Sequence, residues 1–495
     1  MKRFSSITLF IGLVVTIAVL LGGLLGNIDP VTAGVTSTQI DIVGPPGSGQ
    51  FGDSVAALPN GNIVVTDPAY DNGLTADVGA VYLYDGATLS LISTLTGSTA
   101  GDQVGSGGVV ALENGNYVVL SPDWDNGGAV DAGAATWGNG TTGIIGAVSV
   151  SNSLVGSTAN DQVGSDGVVA LENGNYVVSS PYWDGAVTNL GAVTWGDGMT
   201  GITGLVNTSN SLVGSTTNDR IGAMGVTALA NGNYVILSRY WNNGGAANAG
   251  AATWENGSGS VTGTVSASNS LVGSTADDWI GMNVIVLANG NYVVGSPSCD
   301  NGGAADAGAA TWGNGTTGIT GAVSASNSLV GDTSSDRISY YGVKTLSNGN
   351  YVVSSSLWNN GVISQAGAAT WGNGTSGIRG VVDVSNSLVG GALSDQVGQS
   401  IIGLINGHYV VFSPYWDNGG ITDAGAATWG NGTLGVTGTI TAENSVLGTV
   451  AGGGFGMVFA YDYTNNQLAV GRSVENLVTL FKSRFRLSMP LVLRN

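Results

Sequence analysis

Residues 164–195 read GSDGVVALENGNYVVSSPYWDGAVTNLGAVTW, and close copies of this stretch recur along most of the chain. The Asn-Gly pair inside it falls at Asn60, Asn114, Asn173, Asn231, Asn289, Asn348 and Asn406, with a degenerate copy at Asn465. One step of 54 residues is followed by steps of 58 or 59. Eight units at a period in this range mean a propeller, a solenoid or an array.

Each unit reads in the same way. In the second, Gly108–Leu112 is a short apolar strand, Asn114-Gly115 supplies a type I′ turn, and Tyr117–Ser121 returns. The loop PDWDNGGAVDAG leads to a third strand, Ala134–Trp137, and GNGTTG turns into a fourth, Ile145–Leu154. Short strands rich in Val, Tyr, Thr and Trp, four to a unit, match a propeller blade. The chain is therefore read as all-β: an eight-bladed β-propeller of four-stranded antiparallel blades over residues 34–482. A parallel β-helix is the alternative, and the repeated hairpins favour antiparallel pairing over it. The last unit, FGMVFAYDYTNNQLAVGRSVENLVTLFK, supplies three strands, while Ser37–Val43 looks like a strand without a blade. The N-terminal strand is expected to close the ring by completing the eighth blade, which removes an open edge.

The first 33 residues order a charged start (Lys2, Arg3), an apolar run from Ile7 to about Leu25, and Val31-Thr32-Ala33, as a secretory signal peptide does. Cleavage after Ala33 leaves an exported chain with no membrane insertion; retention of the run as an anchor is the other reading. Residues 483–495, SRFRLSMPLVLRN, form a C-terminal tail outside the repeats. With one cysteine, Cys299, an exported chain must be held together by burial and not by an internal disulfide. The 495 residues are 43% hydrophobic and 9% charged, ample for a large core. Net charge is −20, with 12 basic against 32 acidic residues, so no stripe exists for a phosphate backbone and nucleic acid is excluded as a partner.

The first unit resembles the FG-GAP repeat of integrin-α-type propellers at Phe51-Gly52, Pro68 and Gly79-Ala80-Val81-Tyr82. The middle units are similar to an uncharacterised repeat of large secreted, haemagglutinin-like bacterial proteins, through NGNYVV at Asn173–Val178 and SPYWDNG at Ser413–Gly419. The resemblance implies an extracellular propeller used for adhesion or recognition, and no reaction. Calcium in a loop between the first two strands is not carried over, because here that loop has shrunk to Asn-Gly and cannot supply six to eight oxygens.

Three recurring slots carry candidate chemistry. Asp71, Asp125, Asp300 and Asp417 in the loop after the second strand are followed by Asp77, Asp131, Asp306 and Asp423. Carboxylates on a glycine-rich loop suit calcium, and equally suit plain Asx turns. Trp124, Trp183, Trp241, Trp358 and Trp416 lie in the same loop, where an aromatic beside Asp stacks on a sugar ring or anchors the loop. A second acidic slot, Asp102 to Asp395, is expected to bind backbone N–H groups of the turn between units. The Trp137 to Trp429 slot is expected to pack between blades. His408 reads as an exposed turn residue, and Cys299 has no histidine near it in sequence. The expected function is noncatalytic: a secreted or cell-surface protein binding an extracellular glycan or protein through its loops. The alternatives are a structural surface protein without a ligand and a glycan-active hydrolase or lyase.

Overall fold

A computed structural model of the chain describes residues 39–482. The signal segment, the tail and residues 37–38 of the expected closing strand lie outside them. The described residues form an all-β repeat structure of eight sheets. Seven share one ladder of antiparallel strands, as in Val55–Ala57, Ile63–Asp67, Ala80–Tyr84 and Leu91–Thr96. Pairing within every unit is antiparallel, so the β-helix alternative falls.

Two local expectations are corrected. The Asn-Gly hairpin is not a type I′ turn. The Leu112 carbonyl accepts the Gly115 N–H at 2.9 Å while the Leu112 N–H donates to Asn116 O at 2.8 Å, so three residues lie between the paired positions. Only Gly115 has positive φ, 88°, which makes the loop a type I turn closed by a left-handed glycine. Nor is Ile145–Leu154 one strand. Gly146–Ala147 pairs in parallel with Leu95–Thr96 of the preceding sheet, and Leu154–Val155 pairs with Ala134–Ala135 of its own. Between them Asn152 folds a turn, its Oδ1 accepting the Ser149 N–H at 2.8 Å, and Thr136 and Ser153 hydroxyls bond across the buried strand pair at 2.7 Å. Each of the first six sheets thus gains a fifth strand from a later unit; the seventh has four and the eighth three.

The closing strand is not found. Residues 39–43 form no strand, and the eighth sheet consists of Met457–Asp462, Gln467–Arg472 and Leu477–Lys482 alone among the described residues.

Neighbouring units are joined through a shared core and one recurring polar link. Leu171, Val177 and Val193 of the third unit pack with Tyr234, Ile236 and Trp241 of the fourth, and the other clusters are built likewise across two units. The polar link lies at the hairpin end. The Gly198 carbonyl accepts Asn114 Nδ2 at 2.7 Å, Asn116 Nδ2 at 2.8 Å and Trp137 Nε1 at 3.0 Å, all from the preceding unit. Gly257, Gly315, Gly374 and Gly432 receive the same three donors from theirs. Gly140 receives Asn60 and Asn62, since Leu83 stands in the tryptophan slot. The packing of Trp137 and its equivalents between units is therefore as expected, and an indole hydrogen bond, which the sequence reading did not foresee, fixes it.

Only glycine fits at the acceptor. A Cβ on Gly198 would lie 1.7 Å from the Gly174 carbonyl oxygen, whereas one on Gly128, in the exposed loop, meets nothing. Gly198→Ala is expected to lower stability by at least the 1–3 kcal/mol typical of overpacking, and Gly128→Ala to stay within about 0.5 kcal/mol of the parent, both read from urea midpoints.

Candidate functional site

The strand connections fall at two ends of each sheet. One end carries the hairpins and the glycyl links; the other carries the long loop after the second strand and the turn that leads to the next unit. The second end holds nearly all the sequence candidates.

Its frame is the second acidic slot. Asp102 is fully buried; its Oδ2 accepts the N–H groups of Ser98 and Thr99, both at 2.7 Å, and its Oδ1 accepts the Asp125 N–H of the next unit at 3.1 Å. Asp161, Asp219, Asp278, Asp336 and Asp395 repeat this. The expected turn role holds, with a second duty added: the same carboxylate ties one unit to the next. Burial raises Asp161, Asp336 and Asp395 above the usual carboxylate range, against the pull of those N–H donors.

In the long loop the paired acids close the chain on itself. Asp71, Asp125, Asp300 and Asp417 each accept, through Oδ1, the N–H of Asp77, Asp131, Asp306 and Asp423 at 2.8–2.9 Å. The acceptors' partners all sit at φ 51–53°, a left-handed backbone that Asp tolerates better than most side chains. Asn242 and Asn359 do the same with Asn248 and Gln365, so the geometry needs a side-chain oxygen and no charge. Among the described residues no group of three or more His, Cys, Asp or Glu side chains could hold a metal ion, and the calcium expectation gains no support from a cluster. Burial, with Asp123 and Asp125 nearby, raises Asp131.

The loop tryptophans are core. Trp124, Trp183, Trp241, Trp358 and Trp416 are 4–8% exposed and pack among the valines and leucines between sheets. Rings so covered offer no face to a sugar. Cys299 fills the same slot, 3% exposed, and burial pushes its thiol far up, with Asp278 and Asp300 adding to the shift; a neutral buried thiol is a poor nucleophile.

His408 is not an exposed turn residue. It occupies the slot of Asn116 and its equivalents, its Nδ1 accepts the Gly432 N–H at 3.0 Å, and its ring lies 4.8 Å from that of Trp429. Accepting that bond requires the neutral imidazole, and burial lowers its pKa. Glu255, by contrast, stands where other units have glycine above a core tyrosine, and burial pushes it up to about 7.

What the sequence reading passed over is a row of cations. Arg220 and Arg239 alternate with Tyr182, Tyr240 and Trp279 across the third and fourth units. The basic residues look thinly spread along the chain, but Arg220, Trp279 and Arg337 occupy one repeat slot, directly after the buried aspartate, where Gln103, Gln162 and Gln396 stand elsewhere.

Seven consecutive segments, 57–106, 111–165, 170–223, 228–282, 286–340, 345–399 and 403–457, match the family described as Repeat of unknown function (DUF5650). No curated protein matches the sequence. Among solved structures, dihydro-heme d1 dehydrogenase NirN is 8% identical, with a TM-score of 0.29 over 81% of this chain and 67% of that one. BamB from Moraxella catarrhalis is 14% identical, with a TM-score of 0.27 over 87% and 96%.

Two predictions follow from the buried groups. The folded pKa of His408 lies below its unfolded value, so its contribution is present above about pH 6.5 and is lost as pH falls. Relative to His408→Asn, the parent should lose stability on acidification. Glu255 has the opposite sign: its folded pKa is raised, so its contribution is full below its ordinary value of 4.5 and lost as pH rises towards about 7, and Glu255→Gly should remove that loss. Denaturant midpoints from pH 4 to 8 for the three proteins separate the two slopes. Trp183→Ala should cost about 3–5 kcal/mol in the same assay, as for a large core side chain.

Proposed function

We propose that this chain, which belongs to the DUF5650 repeat family, is an exported, noncatalytic binding protein. Its eight sheets serve as the blades of a propeller-like array that presents loops to an extracellular glycan or protein. One observation carries the reading: the recurring polar and aromatic side chains are spent in holding unit to unit, while apolar residues at the tips of the long loops differ between units and are exposed. Leu74 and Val362 are fully exposed at the tips of the long loops, and Val130 is more than half exposed. Loops held by a rigid frame are where binding residues ordinarily sit. First strands of successive units lie side by side, Val55–Ala57 against Val109–Ala111 and that against Val168–Ala170, which supports the blade arrangement.

Recognition is assigned to the loop tips and their neighbours, and not to the buried tryptophans. Purified protein should be captured on a printed panel of glycans and immobilised surface proteins. Leu74→Ser combined with Val362→Ser should cut capture by tenfold or more at an unchanged melting temperature. No capture by any member of the panel would leave a structural surface protein as the better reading.

A further inference from the structure

Two arginines at the loop end pair with no carboxylate among the described residues. In a chain with 32 acidic and 12 basic residues, that is unexpected on charge alone. Ion pairs among the described residues are Arg337 with Asp306 and Arg472 with Glu475; Arg220 and Arg239 take part in none. Rings flank them instead. The Arg220 guanidinium carbon lies 5.5 Å from the centre of the Tyr182 ring and 5.9 Å from that of Tyr240, and Arg239 lies 4.7 Å from Tyr240 and 5.1 Å from Trp279. Arg220 Nε, Arg239 Nε and Trp279 Nε1 are each buried without a hydrogen-bond acceptor among the described residues.

The row rests on a fixed backbone. Arg220 and Trp279 have φ of 46° and 50°, their N–H groups donating to Asn189 O and Asn248 O at 3.1 Å, while the neighbouring aspartates Asp219 and Asp278 bind the turn as described above. Arg239 opens the long loop where five units have proline, at Pro68, Pro122, Pro181, Pro297 and Pro414. Framework positions recur around it. The substitutions that bring in cations and rings converge on one place spanning two units.

We propose that Arg220 and Arg239, with Tyr182, Tyr240 and Trp279, form a binding site for the carboxylate-bearing sugars of an acidic glycan. The inference rests on the binding reading above and gives it a ligand class. A guanidinium fork takes a carboxylate through two parallel N–H bonds, and ring faces cover the C–H face of a sugar; a uronate presents both features at once. The ring faces select it over polyphosphates, which offer oxygens to a guanidinium but no C–H face to an aromatic ring. With a net charge of −20 the protein repels any polyanion at long range, so the attraction comes from the two guanidinium groups and the rings at contact.

Affinity electrophoresis of the purified protein tests the assignment, with polygalacturonate or alginate cast in the gel and fully methyl-esterified polygalacturonate as the uncharged control. The acidic glycans should retard the parent and the ester should not. Arg220→Gln with Arg239→Gln should weaken retardation at least tenfold while the melting temperature holds, and Arg239→Lys should restore only part of it. Equal retardation of the double variant, equal retardation by the ester, or none by either acidic glycan would overturn the site; equal retardation by the ester would still leave glycan binding as such in place. Displacement by millimolar inorganic phosphate as readily as by galacturonate would show an anion site without a sugar subsite, and would also overturn it.

Discussion

A single glycyl carbonyl at each of the first six junctions between units is the constraint on which this architecture depends. It collects two asparagine amides and one indole N–H from the unit before, and it reaches them because the acceptor residue has no side chain. Each neutral hydrogen bond contributes roughly 0.5–1.5 kcal/mol net, so a triple link rivals the burial of a large side chain. It also explains two otherwise unrelated features of the repeat. Asn-Gly-Asn must sit on a three-residue loop that aims both amides outward along the array, and the tryptophan must end the third strand beside them.

At the opposite end the buried aspartate does the equivalent work with the same polarity. There too an acceptor is the shared element, now a side-chain carboxylate, and backbone N–H groups from two units converge on it. A carboxylate taken out of water is costly unless its lone pairs are filled. Here three N–H groups fill them, which is why a fully buried Asp recurs without an ion pair among the described residues. Each unit is thus gripped at both ends of its strands, and the apolar core between sheets completes the joint.

Most of the fold was legible because period, hairpin signals and strand composition all act locally. The all-β class, the unit length, the antiparallel pairing and the turn role of the second acidic slot come from such signals. Most of the errors share a cause: the partner lies far along the chain, in another unit or, for His408, in a distant loop of its own unit. Ile145–Leu154 contains enough apolar residues for one strand, and nothing within it says that Gly146–Ala147 will pair with the sheet before. Trp124 and its equivalents sit beside Asp in a loop, which reads as an exposed site until the next sheet covers them. His408 looks like a turn residue because its acceptor role is defined by the Gly432 N–H, 24 positions away. The turn type was open to a closer reading, since the residues flanking Asn-Gly must be counted into the loop before a two-residue turn is assigned.

The departures from the repeat separate framework from function more sharply than the repeat itself does. At the hairpin end the substitutes keep part of the hydrogen bonding: His408 still accepts the N–H of Gly432 in its own unit, and Leu83 gives up one donor of three. Glu255 shows the cost of a poorer fit, a carboxyl held in a place that disfavours its charge. At the loop end the changes are of another kind. Proline gives way to Arg239, glutamine to Arg220 and Trp279, and none of these replaces an interaction that its neighbours make. Side chains that are unnecessary to the frame and gather across two units are the ones from which the proposed glycan site is built.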